Sequence, residues 1–200
     1  MSYADFTLEA VESAFGLISR PGDLFPGLEP ITVPDWLRDD LDRAQRVAAL
    51  VSEKARSEFL VVPILMAACE LGKSELAIYS GQRLDVDPAR GLLGECDYII
   101  ALTPPIPRLR APLIATLEAK KGEIEPALGQ CAAQMVGARL FNERAGQGEF
   151  HVYGCVTSGE VWQFLRLDQS ELIIERSRLF VDNVGGILAT MQAIFRENRA

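Results

Sequence analysis

Three charged residues stand in apolar runs that would ordinarily exclude them. Asp97 lies within Cys96-Asp97-Tyr98-Ile99-Ile100-Ala101-Leu102, and Glu118 and Lys120 close the run Pro112-Leu113-Ile114-Ala115-Thr116-Leu117-Glu118-Ala119-Lys120. A charge set inside a buried strand is costly unless something pairs it. Side chains alternate along a strand, so Ile114, Thr116, Glu118 and Lys120 share one face, and Leu113, Ala115, Leu117 and Ala119 share the other. If the strand of Asp97 lies alongside, its carboxylate converges on Glu118 and Lys120. Two carboxylates suit a hard cation such as magnesium or manganese, with waters and phosphate completing its shell, and the Ala119 carbonyl adds a neutral oxygen. Such a cation lowers the pKa of a bound water and neutralises charge on a phosphoryl group. A lysine beside it orients that water or stabilises the developing charge. The chemistry implied is metal-assisted hydrolysis of a phosphodiester. The competing reading is a plain ion pair at a strand end, since structural pairs also perturb charged groups.

These residues need a frame to hold them. Residues 6–16 predict a short amphipathic helix, with Phe6 or Thr7 at its start and Gly16 at its end. Residues 20–34, rich in proline, read as a loop. Helical spacing of Trp36, Leu37, Leu41, Ala44, Val47 and Ala48 predicts a helix from Asp35 to Leu50. Ser52 suits the cap of a further helix, Glu53 to Leu71, apolar nearly all round and therefore buried. Pro63 is expected to kink it. Leu76–Ser80 and Gln82–Val86 predict a hairpin about Gly81. Glu95–Leu102 and Leu113–Lys121 follow as strands, joined by a proline-rich loop. Pro126 sits in the first turn of a helix reaching about Arg144. Phe150–Val156 and Val161–Leu167 predict a second hairpin turned at Ser158-Gly159. Leu172–Ile174 adds a short strand, and Ile187–Phe195 lies in a last helix. The order predicts a mixed α/β sheet with helices on its faces.

Length and composition bound the rest. The chain has 200 residues, 48% of them hydrophobic, which points to one domain with a full core. Net charge is −8, so the molecule as a whole does not attract nucleic acid, whose binders usually carry a basic face. The basic residues Arg108, Arg110, Lys120, Lys121, Arg139 and Arg144 fall in one stretch of sequence and offer a local patch. Cys69, Cys96, Cys131 and Cys155 are far apart and lie in apolar runs, and with His151 the only histidine a zinc site has little support. Buried free thiols in a reducing cytoplasm are the preferred reading. The first ten residues lack the character of a secretory signal. No run reaches the ~20 apolar residues that span a bilayer.

With these residues in view, the chain resembles the PD-(D/E)xK nuclease superfamily, the restriction endonuclease-like fold, over roughly residues 50–168. The resemblance rests on Asp97, Glu118-Ala119-Lys120 and the order of elements around them. It implies that Asp97 and Glu118 bind magnesium and that Lys120 assists the attacking water. It also implies that a glutamate on the first core helix joins the metal, directly or through water. Glu53 matches, with Glu58 and Glu70 as weaker candidates. A glutamine on the helix after the motif is implied too, and Gln130 and Gln134, one turn apart, both qualify. Cys96 stands where the motif has proline. Residues 1–45 form a helical N-terminal extension outside the resemblance, and residues 169–200 a C-terminal strand and helix. A nucleic-acid partner, DNA foremost, and a homodimer are further implications. The alternative is a non-catalytic binding or structural protein on the same fold, because fold does not fix function.

Other features have plain readings. His151 lacks the oriented partners that acid–base catalysis requires. Thr157-Ser158-Gly159 reads as a hairpin turn, Gly185-Gly186 lacks the spacing of a phosphate loop, and Trp36 and Trp162 read as core or rim aromatics.

Overall fold

A computed structural model describes residues 1–72 and 75–199. In chain order the elements are α1 (Leu8–Phe15), β1 (Ile18–Gly22), α2 (Asp35–Val47), α3 (Glu53–Arg56), a π turn (Ser57–Val61), α4 (Val62–Leu71), β2 (Ala77–Arg83), β3 (Glu95–Ala101) and β4 (Leu113–Ala119). Then come α5 (Leu128–Arg144), β5 (Val152–Thr157), β6 (Val161–Asp168), β7 (Glu171–Glu175), β8 (Leu179–Phe180) and α6 (Val184–Glu197). The described strands form one mixed sheet in the order β1-β7-β6-β5-β4-β3-β2, with β8 also pairing β6. Strands β2, β3 and β4 run as an antiparallel meander, and α5 then crosses over to lay β5 parallel to β4. The molecule is therefore α/β, a mixed sheet flanked by helices.

Each face of the sheet has its own core. Helices α2, α4 and α6 bury Leu41, Leu65 and Leu188 against Tyr98, Leu117, Tyr153 and Phe164. Helices α1 and α5 bury Val11, Met135 and Val136 against Ile99, Val156 and Leu165. The expected apolar face of β4 is split. Ala115, Leu117 and Ala119 belong to the first core and Leu113 to the second, because the β3–β4 register shifts between Ile100 and Ala101.

Helix starts follow the local chemistry. Thr7 caps α1 by accepting the Ala10 N–H, and Ser52 caps α3 by accepting the Ala55 N–H. Gly16 ends α1 in the left-handed region, at φ 65°. Pro63 acts through the preceding turn. It has no N–H to donate, and just before it the Val62 N–H reaches back five residues to the Ser57 carbonyl, so the helix widens at that point.

Two expectations are corrected. Residues 20–34 are not loop throughout, since Ile18–Gly22 pairs in parallel with β7 at the sheet's edge, where Pro21 forfeits no interior ladder bond. The hairpin about Gly81 is instead one strand, β2, which runs through Gly81 and pairs with β3 on both sides of it. Gly81 takes φ 61° there while the pairing register stays the same on both sides of it, so local turn chemistry was real but did not reverse the chain. All four cysteines are free, and three are buried. Among the described residues, no helix is long and apolar enough to cross a membrane.

Candidate active site

The end of β4 is where the sheet opens. The β3–β4 ladder stops at the pair Tyr98 and Leu117. One residue beyond, the Asp97 side chain replaces backbone pairing, its Oδ2 accepting the Ala119 N–H at 2.7 Å. On its other side β4 continues against β5, and the Lys120 N–H donates to the Thr157 carbonyl at 2.8 Å. Asp97 is thus held at the gap between two strand ends, half-buried, with its second oxygen outside this bond.

Glu118 points to the α5 face. Its side chain is buried, at 2% exposure. Lys120 Nζ donates to Glu118 Oε1 at 2.5 Å, and Gln134 Nε2, from α5, donates to Oε2 at 2.8 Å. Burial pushes the Glu118 carboxyl up to about 7, and the nearby Asp97 charge adds to the rise, against the pull of Lys120 and Gln134. For Lys120 burial favours the neutral amine, but Glu118, Glu53 and Asp97 outweigh it and hold the ammonium above the usual lysine range. The site therefore carries more negative charge than its one ammonium balances.

Helix α5 is fixed against β4 at two points. Gln134 meets Glu118 near the strand's end, and Asn142 meets its start, where Oδ1 accepts the Leu113 N–H and Nδ2 donates to the Leu113 carbonyl, each at 2.8 Å. Asn142 is fully buried. Sequence reading missed it, although a polar residue two turns beyond Gln134 on the same helix was the available signal.

In front of Asp97 lies a cleft of about 350 Å³ between the α3 segment and β3. Glu53, Glu58, Glu95 and Asp97 line it, together with Lys54, Ser57 and Tyr98. Glu53 thus shares a cleft with Asp97, while Glu118 lies behind Asp97 on the α5 side. Glu70 is on α4 and does not line the cleft. The Gln130 side chain makes no hydrogen bond among the described residues, so of the two glutamines only Gln134 reaches Glu118. Among the described residues, no three acidic, histidine or cysteine side chains stand close enough together to hold a metal ion unaided. The set Glu53, Asp97 and Glu118 is gathered at one place but not closed around one point.

The basic stretch of sequence does not form one patch. Arg139 and Arg144 follow Gln134 along α5 toward the Leu113 end of β4, where Arg139 donates to the Gln169 carbonyl and Arg144 to the Val86 carbonyl at 2.5 Å. Lys120 and Lys121 are at the opposite end of the strand. His151 precedes β5 at the end away from Glu118 and stands 3.9 Å from Glu197.

The donor set fits a hard cation. It consists of the Asp97 and Glu118 carboxylates, while the Cys96 and Cys131 thiols near Glu118 are held protonated, their pKa values raised chiefly by burial. Burial and the closeness of Asp97 already disfavour the charged form of Glu118, and a divalent cation would relieve both. No protein-family model matches this chain, and no curated protein matches it.

Proposed function

We propose that this chain is a metal-dependent phosphodiesterase of the PD-(D/E)xK type acting on nucleic acid. The observation that carries the reading is the convergence at one strand end of Asp97, Glu118 and Lys120, with Gln134 bonded to Glu118 from the neighbouring helix. The order of elements supports it, namely a helix, the antiparallel meander β2-β3-β4, the helix α5 and a strand parallel to β4. This is the order expected of a restriction endonuclease-like core.

Asp97 and Glu118 would hold magnesium or manganese beside the Ala119 carbonyl, and the cation would supply an acidified water and charge neutralisation at the phosphate. The chain's own groups do the rest. Gln134 fixes one oxygen of Glu118, so the carboxylate cannot swing away from the strand end. The Ala119 N–H fixes Asp97 in the same way. Lys120 presents a half-buried ammonium bonded to Glu118, positioned to orient a water or to stabilise charge on a phosphoryl oxygen.

The test is cleavage of single- and double-stranded DNA and RNA with magnesium or manganese by the wild type, Asp97→Ala and Lys120→Ala. The wild type is expected to cut, and each substitution to lower kcat/KM by at least ~100-fold. Undiminished cutting by both variants would overturn the assignment.

One observation favours a second reading, a non-catalytic binding protein on the same architecture. The cleft before Asp97 carries Glu53, Glu58 and Glu95, and its Lys54 stands 3.8 Å from Glu58. Such a lining repels a polyanion. This reading predicts manganese binding without cleavage of any of the four polymers.

A further inference from the structure

The segment carrying Glu53 is not a plain α-helix. At Ser57–Val61 it widens into a π turn, marked by the Val62 N–H donating to the Ser57 carbonyl. A turn with one extra residue rotates everything before it by ~100° relative to a regular helix. Beyond the turn, α4 buries Ile64, Leu65 and Ala68. Before it, Glu53 and Ser57, four residues apart and so on one face, line the cleft with Asp97. The wide turn therefore lets one helix serve two surfaces, the core through α4 and the cleft through α3.

Something must hold the widened turn at that angle. Ser57 does so twice. Its carbonyl is the acceptor that defines the turn, and its Oγ shares a hydrogen bond with the Tyr98 hydroxyl. Tyr98 is buried, directly follows Asp97 in β3 and also lines the cleft. The tie thus joins the residue at the turn to the residue beside Asp97, the carboxylate that lines the cleft.

We propose that Tyr98 is a positioning residue, whose hydrogen bond to Ser57 locks the π turn onto β3 and so holds Glu53 before Asp97 as the third acid of the cation site. The proposal rests on the reading that Asp97 and Glu118 hold a cation. Tyr98 itself need not touch the cation. It sets where Glu53 stands, and outer partners of this kind typically change metal affinity by ~10–100-fold.

The full-length chain tests this in two ways. Without metal, amide hydrogen exchange is compared between the wild type and Tyr98→Phe, which removes one hydroxyl and keeps the ring in the core. Faster exchange over residues 55–62, with the rest of the sheet unchanged, is expected. Unchanged protection there overturns the lock. With manganese, affinities are measured for the wild type, Tyr98→Phe, Ser57→Ala, Glu53→Gln, Glu118→Gln and the double variant Tyr98→Phe/Glu53→Gln. Tyr98→Phe is expected to lose about tenfold, and the double variant no more than Glu53→Gln alone, because Tyr98 acts through Glu53. Losses that add in the double variant overturn the proposal. Binding abolished by Glu118→Gln but untouched by Tyr98→Phe and Ser57→Ala removes the positioning role and leaves the metal site standing. Equal, weak binding by the wild type and Glu118→Gln removes the metal site and the proposal with it.

Discussion

At the scale of single residues, Glu118 is a buried acid whose burial and neighbouring Asp97 both oppose its ionisation. A carboxyl at 2% exposure beside a second carboxylate is held by one ammonium and one amide. In the unfolded chain it titrates near the ordinary glutamate value, whereas in the folded, metal-free protein it is pushed up to about 7. The folded state therefore binds the proton more tightly. Stability from this group is fully present below the unfolded pKa and is lost as pH rises through the folded one. Urea denaturation of the metal-free wild type is expected to show falling stability between about pH 5 and about pH 8, and a flatter profile in Glu118→Gln. Magnesium should restore the loss at the upper end. An identical pH slope in the two proteins would show that Glu118 does not titrate in that range. The identity of this residue was legible in the sequence, because an acid in an apolar strand must be paired or functional. Its partner on α5 was narrowed only to two glutamines. Gln130 and Gln134 share a helix face by spacing, and only packing against β4 distinguishes them.

At the scale of elements, two joints place the site, and the sequence points to neither directly. One is Asn142, whose amide satisfies both backbone groups of Leu113 and so fixes the lengthwise position of α5 along β4. Replacing it with Ala leaves a buried N–H and a buried carbonyl without partners, at a cost of about 2–4 kcal/mol. Chemical denaturation of Asn142→Ala should show that loss. Because α5 then depends on Gln134 alone for this alignment, manganese affinity should fall as well. Loss of stability with affinity unchanged would mean that Gln134 holds the register without help. The other joint is the left-handed residue Gly81 inside β2. A glycine between two apolar runs is a turn signal, so the sequence predicts a hairpin reversal at Gly81. The flanks of Gly81 instead pair with the same neighbour, Ser80 with Tyr98 and Gln82 with Cys96, so the left-handed residue bends one strand. Nearest-neighbour chemistry cannot tell a bend from a reversal, because the answer depends on what β3 offers as a partner. Most helices, by contrast, were legible to within a few residues from period and caps. The strand β1 was hidden because Pro21 and Gly22 disguise an edge strand that pairs with β7, some 150 residues further along the chain.

At the scale of the whole molecule, charge decides how the proposed nucleic-acid substrate could be held. The net charge is −8, and the acids are not confined to the side away from the cleft. The cations near the strand end are already engaged. Lys120 pairs with Glu118 at 2.5 Å, Arg56 with Glu160 at 3.2 Å, and Arg178 with Glu125. Lys121 is exposed beside them. A protein that grips the phosphate backbone with many cations loses affinity steeply as salt rises, with a slope of about −0.9 per phosphate neutralised on duplex DNA. Near the strand end this chain offers about one or two such contacts, and on the proposed reading a divalent cation at Asp97 and Glu118 would supply the rest of the attraction. The expected plot of log affinity against log monovalent salt, at fixed magnesium, is therefore shallow, with a slope no steeper than about −2. Long-range repulsion acts in the opposite direction. It is screened beyond about 10 Å at moderate ionic strength, so the association rate should rise, not fall, as salt is first added. Stopped-flow binding of a fluorescent oligonucleotide reads both quantities at once. A steep negative slope with an association rate that falls from the lowest salt would mean that a basic surface elsewhere on the molecule carries the polymer, and that the acidic cleft is not its path to Lys120.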